Sequence, residues 1–275
     1  MQLDQLFDEE TCVHLARSAK TAQKVEAAFV ARVRVEIAKT LDNIIHAARN
    51  DGAMPHVDFE KIYMQCMLEA LKKGYETRPV IRLASDRGYP PGRDEKKQTL
   101  FEKWKELADR GYKPKRIKEL ARKTAKKFTA AVERFRSMWK EQPEVQGDKE
   151  WAKELLIKEL HAPESYAKMV VATETTRAYN AARIDYYEQV PSVTHYLFIS
   201  IRDNRTTDWC KTRQHLIYKS GSALLKKNTP PLHPYCRSEI VPLNKHNPRS
   251  VLLINDESMW AENNHPAPLL PGWNE

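Results

Sequence analysis

Glycine is scarce in this 275-residue chain, with eight residues. That scarcity argues against an architecture of many tight hairpins, whose turns depend on residues that accept positive φ. Cysteine is sparse too, at four residues, and Cys12 and Cys66 stand alone on helix-like stretches. A disulfide framework is therefore not expected. No basic-then-apolar leader opens the chain, and no run approaches the roughly eighteen apolar residues a membrane span needs. The longest apolar patches, Leu197 to Ile201 and Val251 to Ile254, are strand-length. These absences predict a soluble chain made in a reducing cytoplasm, with no membrane partner. Also missing are a G-x-G-x-x-G, a P-loop, an H-E-x-x-H and a G-x-S-x-G, so the commonest phosphate-cradling, zinc-protease and serine-hydrolase signatures do not apply.

What is present favours helices: 41% hydrophobic content supports a sizeable core, and Leu, Ala, Glu, Lys and Arg are plentiful. From Glu10 to Asn50 there is neither proline nor glycine. Val25, Ala28, Phe29, Val33, Ile37, Leu41, Ile44 and Ile45 form one helical stripe, which Asp51-Gly52 ends. Asp58 is placed to cap a second helix carrying Phe59, Ile62, Tyr63, Cys66, Met67, Ala70 and Leu71, with Gly74 as its stop. Residues 75–94 hold Pro79, Gly88, Pro90, Pro91 and Gly92, which predicts a surface connection. Residues 95–110 make a helix ending at Gly111, and Pro114 opens another to about Lys140. Asp148 caps a short helix with Trp151, Leu155, Leu156 and Leu160. Pro163 then starts a further helix that ends near Val190-Pro191. On that last helix Glu174 and Arg177 are spaced to pair, while Ala178, Ala181 and Ala182 leave room for a close neighbour.

Residues 113–140 carry eleven Lys or Arg against two Glu, a local balance of +9 that equals the +9 of the whole chain. Lys115, Arg116, Lys118, Arg122, Lys123, Lys126 and Lys127 are candidates to bind nucleic-acid phosphates or an acidic partner. A solvated face over an apolar stripe is the plainer explanation, but mixed charges would serve solubility equally well.

After Pro191 the period changes to two: Leu197, Ile199 and Ile201 alternate with Tyr196, Phe198 and Ser200, which is strand patterning. Ser220-Gly221 marks a turn and Ser238 to Leu243 a second strand. The tail from Asn244 holds Pro248, Pro266, Pro268 and Pro271 among Trp260, Leu269, Leu270 and Trp273. It predicts an extended arm that docks on its own domain or on a neighbour. The expected class is α+β, with a long-helix region over 1–160, a small α+β unit with short antiparallel strands over 161–243, and an extended C-terminal arm over 244–275.

Two cysteines and two histidines fall within residues 210–236. Cys210 and His215 form a C-x4-H pair; His233 and Cys236 form an H-x2-C pair stiffened by Pro234. Two ligands from each of two short segments is a usual way to hold tetrahedral zinc. Alternatively, Cys210 and Cys236 are small buried hydrophobes, or they form a disulfide.

A helix with Thr173-Glu174-Thr175-x-Arg177-Ala178-x-Asn180-Ala181 leads to a strand, then to Asp203-x-Arg205-Thr206, Cys210 and Gly221. Pro230-Pro231-x-His233-Pro234-x-Cys236-Arg237 follows. This succession, over about residues 165–243, resembles the phage head-morphogenesis family, the Mu F-like minor head proteins. The resemblance marks Glu174, Arg177, Asp203, Arg205 and Arg237 as motif residues. It implies a minor protein of a tailed-phage head, made in the host cytoplasm, that associates with the portal during procapsid assembly. Such a protein stays in the head interior near the portal vertex and assists DNA packaging or ejection. The major capsid or scaffolding protein and double-stranded DNA are further implied partners. Thr207 and Ser238 stand where the family often has additional cysteines, which leaves His215 as the substitute fourth zinc ligand.

An enzymatic alternative is a metal-dependent nuclease in which His215, His233, Asp203, Asp208 and Glu239 surround a metal-activated water. A protein that works by contact is the expectation, and the variable helices before residue 160 are where portal or DNA contacts are expected.

Overall fold

The computed structural model describes residues 9–50, 52–76, 98–111, 114–264, 266, 268 and 269. It is 66% helical, with long N-terminal helices and a small antiparallel sheet, an α+β protein. The helices before the sheet are α1 (Glu9–Ala38), α2 (Leu41–Arg49), α3 (Phe59–Glu76), α4 (Leu100–Asp109), α5 (Lys115–Glu141) and α6 (Lys149–Tyr187). Strand β1 (Val193–Ile199), the short helix α7 (Asp208–Lys211), β2 (Ile217–Lys219), α8 (Ala223–Asn228), β3 (Glu239–Asn244) and α9 (Pro248–Asn255) follow.

The elements fall into two compact units: one of Met1–Val25, Met67–Glu106 and Thr173–Glu275 in their described parts, the other of Glu26–Cys66 and Leu107–Ala172. In the second, the apolar stripe of α5 buries Ile117, Ala121, Phe128, Ala131, Val132, Phe135 and Trp139. Phe128 meets Phe59 edge to face at 5.9 Å, and Trp139 sits between Phe135 and Trp151. Each such aromatic contributes about 1.5–3 kcal/mol by leaving water. Thr124, buried in the same stripe, shares a 2.6 Å hydrogen bond with the Tyr63 hydroxyl, which keeps both polar groups satisfied.

Helix boundaries follow local chemistry. Asp58 Oδ1 accepts the Lys61 N–H at 2.9 Å and Asp148 Oδ1 accepts those of Glu150 and Trp151, so both expected caps form. Thr99 and Glu102 close a reciprocal capping box on α4, and Gly111, at φ 79°, follows it. The single helix expected over 10–50 is instead broken after Ala38: the Thr40 hydroxyl donates to the Ile37 carbonyl at 2.6 Å, a local bond that competes with the helical ladder. Gly74 does not stop α3, which runs on to Glu76. Pro163 does not start a helix but lies inside the 39-residue α6. Its fixed φ suits a helix, although it gives up the bond to the carbonyl of Glu159 and sets its ring against that carbonyl. Residue 160 is therefore mid-helix and not a break in the chain path. The connection expected over 75–94 lies mostly outside the described residues.

The sheet has the order β2-β1-β3, antiparallel throughout, with Tyr196 opposite Tyr218 and Pro242, and Phe198 opposite Ile240. Both of its faces are covered. Tyr196, Phe198, Tyr218 and Ile240 pack with Tyr187, Leu225 and Leu232 on one face, and Leu197, Ile217, Val241, Leu243 and Leu253 on the other. Both alternating sets of β1 are consequently apolar.

The tail is not wholly extended, as α9 opens with a local signal: Asn247 Oδ1 accepts the Ser250 N–H at 3.0 Å and Pro248 takes the first turn. Trp260 then docks beside His195, with ring centroids 5.6 Å apart, and its backbone bridges Ile217. Leu269 packs against the first face. Leu270, Pro271 and Trp273 lie outside the described residues.

Candidate metal centre

Cys210 comes from α7, whose first turn follows the Asp203-Asn204-Arg205-Thr206 loop. That loop is closed by its own side chains. The Arg205 N–H donates to Asp203 Oδ1 at 3.0 Å, the Asp203 N–H donates to Thr206 Oγ1 at 3.0 Å, and the Thr206 hydroxyl donates to the Ile201 carbonyl. Arg237 reaches back across it with a bidentate pair to Asp203, at 2.8 and 2.7 Å. This guanidinium, with the Arg205 N–H, holds the Asp203 carboxyl well below the usual carboxylate range. Arg205 is the weaker partner, at 3.9 Å from Asp203. The Asp203–Arg237 fork thus ties the segment before Cys210 to the segment carrying His233 and Cys236.

His233 and Cys236 share a tight turn. The Cys236 N–H donates to the His233 carbonyl at 3.2 Å, and Tyr235 adopts φ 56°, a left-handed conformation rare for an aromatic residue. The turn is anchored from α6. The Tyr235 N–H donates to Thr173 Oγ1 at 3.1 Å and the Thr176 hydroxyl donates to the Cys236 carbonyl at 2.9 Å. Further along the same helix face, Asn180 donates to the Ser238 carbonyl at 3.3 Å and accepts the Ile240 N–H at 3.1 Å. Arg183, fully buried, pairs with Glu239 at 2.6 Å. Asn180 in effect acts as a neighbouring strand for the free edge of β3. Pro242, two residues on, turns its N–H-less nitrogen to that same edge, where proline is tolerated.

The structure gathers Cys210, His233 and Cys236, all buried, with their ligand atoms within 4.8 Å of one another. Cys210 Sγ lies 3.2 Å from His233 Nε2 and 3.7 Å from Cys236 Sγ, and the Ser238 hydroxyl donates to Cys210 Sγ at 3.1 Å. His233 Nδ1 is 2.7 Å from the Pro234 carbonyl. A carbonyl only accepts, so Nδ1 carries the proton and the Nε2 lone pair faces the sulfurs. The hydrogen bond from Cys210, together with His233, holds the Cys236 thiol well below its ordinary value despite burial. The same bond to Cys236, and then burial, push Cys210 up. Burial pulls His233 down, yet the Cys236 sulfur outweighs it and leaves the imidazole raised.

His215 is not in this group. It adopts φ 68°, its N–H donates to the Phe198 carbonyl at 2.9 Å, and its Nε2 lies 2.7 Å from Gln214 Nε2. The carboxylates considered for a nuclease are likewise placed elsewhere, Asp203 on Arg237, Asp208 on Lys211 and Glu239 on Arg183. Glu174 and Arg177 pair at 3.3 Å along α6.

On α5, Lys115, Arg116, Lys118, Arg122, Lys123, Lys126 and Lys127 are all exposed. Lys127 lies over the Tyr166 ring at 5.1 Å, and farther along Arg134 pairs with Glu159 at 2.8 Å. Among the described residues no carboxylate comes within ion-pair distance of Lys115, Lys118, Arg122, Lys123 or Lys126.

The sequence model of the family described as Phage Mu protein F like protein matches residues 145–241. The chain carries a Mu F-like segment. It starts just before the Asp148 cap of α6 and ends within β3, so the helix ladder, the Asp203–Arg237 fork and the Cys/His cluster all lie inside the matched segment. No curated protein and no solved structure matches the chain. The family points to phage head morphogenesis and to the virion. Among the described residues no helix is long and apolar enough to cross a membrane.

The ladder Thr173, Thr176, Asn180 and Arg183 is the part of the site that periodicity misses. Its spacing of three, four and three was the available signal: a polar stripe on a helix otherwise rich in buried alanine.

Proposed function

We propose that this chain is a minor head protein of a tailed phage that binds the portal during procapsid assembly and remains in the head interior at the portal vertex. There it assists DNA packaging or ejection. The Mu F-like match over residues 145–241 carries this reading. The exposed row on α5 supports a contact role, with DNA phosphates or an acidic head protein as its partner, since exposed cations on one face raise the local potential for polyanions. The major capsid or scaffolding protein is the next partner to examine.

The deciding experiment is co-sedimentation of the full chain with purified portal particles. The chain is expected in the particle fraction at physiological salt. Failure to sediment with portal at both low and physiological salt would exclude the portal role. The full chain is required because a cut at residue 160 would sever α6.

A further inference from the structure

We propose that Cys210 Sγ, His233 Nε2 and Cys236 Sγ hold one zinc ion, with a water molecule in the fourth position beside the hydroxyls of Thr207 and Ser238. The site would staple α7 to the turn that enters β3. It stands independently of the portal role.

Three observations converge on a metal. The first is spacing. Two thiolates bound at about 2.3 Å to a tetrahedral ion lie about 3.8 Å apart, and a thiolate and an imidazole about 3.5 Å apart. The observed separations are 3.7 Å between the sulfurs and 3.2 Å between Cys210 Sγ and His233 Nε2, so little movement is needed to admit the ion. The second is the orientation of His233: its Nδ1–H is committed to the Pro234 carbonyl, the outer hydrogen bond that fixes the tautomer of a metal-bound imidazole. The third is polar surroundings. The Thr207 hydroxyl is buried beside the Cys210 thiol, which is the one group that engages it, and a bound water there would have it as a partner. Ser238 Oγ lies against the same sulfur.

Zinc also suits the ligand set, because sulfur and imidazole together select it over hard cations that prefer oxygen. On binding, the protons still carried by the two thiols leave to solvent and both sulfurs become thiolates. The site differs from the four-ligand reading of the sequence, since His215 stays on the Phe198 carbonyl and Gln214. Asp203 and Arg237 act as positioning residues that fix the two ligand segments relative to each other.

The test uses the full chain, purified in reducing buffer, equilibrated with zinc and freed of excess metal. One zinc per chain is expected in the wild type and in Cys66→Ser, whose cysteine lies elsewhere. Loss of at least nine-tenths of the metal is expected in Cys236→Ser and His233→Gln. Metal-free wild type, or full retention in a folded Cys236→Ser, would overturn the proposal. If the variants do not fold, cobalt titration of the wild type decides. Sulfur-to-cobalt charge-transfer absorption saturating at one equivalent and displaced by zinc is expected, and its absence refutes the site. Thiol titration after chelation and unfolding should find all four cysteines reduced; a Cys210–Cys236 disulfide would likewise refute it.

Discussion

Asn180 shows how much one side chain decides. Its amide serves the Ser238 carbonyl just before β3 and the Ile240 N–H within it. Asn180→Leu keeps the volume but strands the Ser238 carbonyl and the Ile240 N–H in a buried setting, at an expected cost of about 2–4 kcal/mol, measurable by urea unfolding. Arg183 is a parallel case. Glu239→Gln removes the countercharge from a fully buried guanidinium, and about 3–5 kcal/mol should be lost. For His195, burial and then Lys219 lower the imidazole pKa, with Glu262 opposing. The unfolded chain therefore takes up the proton more readily, and the stability contributed by neutral His195 is present above the ordinary histidine value and lost as pH falls through the lowered folded one. His215, shifted down by burial, adds to this trend, while His233, shifted up, opposes it. His195→Gln is expected to flatten the fall in melting temperature between about pH 7.5 and 5.5; an unchanged slope would count against the assignment. The Glu174–Arg177 pair was legible because both residues sit on one helix. The ladder beside it was not, because a polar stripe reads as a solvent face until β3 covers it.

At the scale of elements, Gly74 reverses a rule of helix propensity. Alanine is normally better than glycine inside a helix by about 1 kcal/mol. A Cβ at Gly74, however, would come within 2.7 Å of Ala182 Cβ and 2.9 Å of the Tyr179 carbonyl. This is the close neighbour for which Ala178 and Ala182 left room. Overpacking of this kind costs about 1–3 kcal/mol, so Gly74→Ala should destabilise and Gly74→Val more so, as thermal melts would show. The basic face of α5 makes a different prediction. Arg122→Glu with Lys126→Glu changes exposed positions, so folding should hold while affinity for double-stranded DNA drops and its salt dependence becomes shallower. Unchanged affinity would remove α5 as the DNA surface. Caps and breakers explain most helix ends correctly, including Asp58, Asp148 and Gly111. They mislead where tertiary packing overrides them, at Gly74, and where a proline is accommodated within a helix, at Pro163.

For the whole molecule, the zinc staple makes a stability prediction. Chelation should lower the melting temperature and added zinc should restore it, because an ion bound only by the folded state adds to its stability. The effect should vanish in Cys236→Ser. Portal co-sedimentation tests a separate property, so the two can fail independently.

Sequence alone determined the helical class, the basic helix, the strand period and the Mu F-like motifs, because each is written in neighbouring residues or in short repeats. Only the tertiary structure decided that both faces of β1 are buried, that α6 is one helix supplying a polar ladder to β3, and that three of the four expected ligands meet while His215 does not. Those outcomes depend on residues from distant segments converging in space, where backbone groups left free by one segment are satisfied by side chains of another.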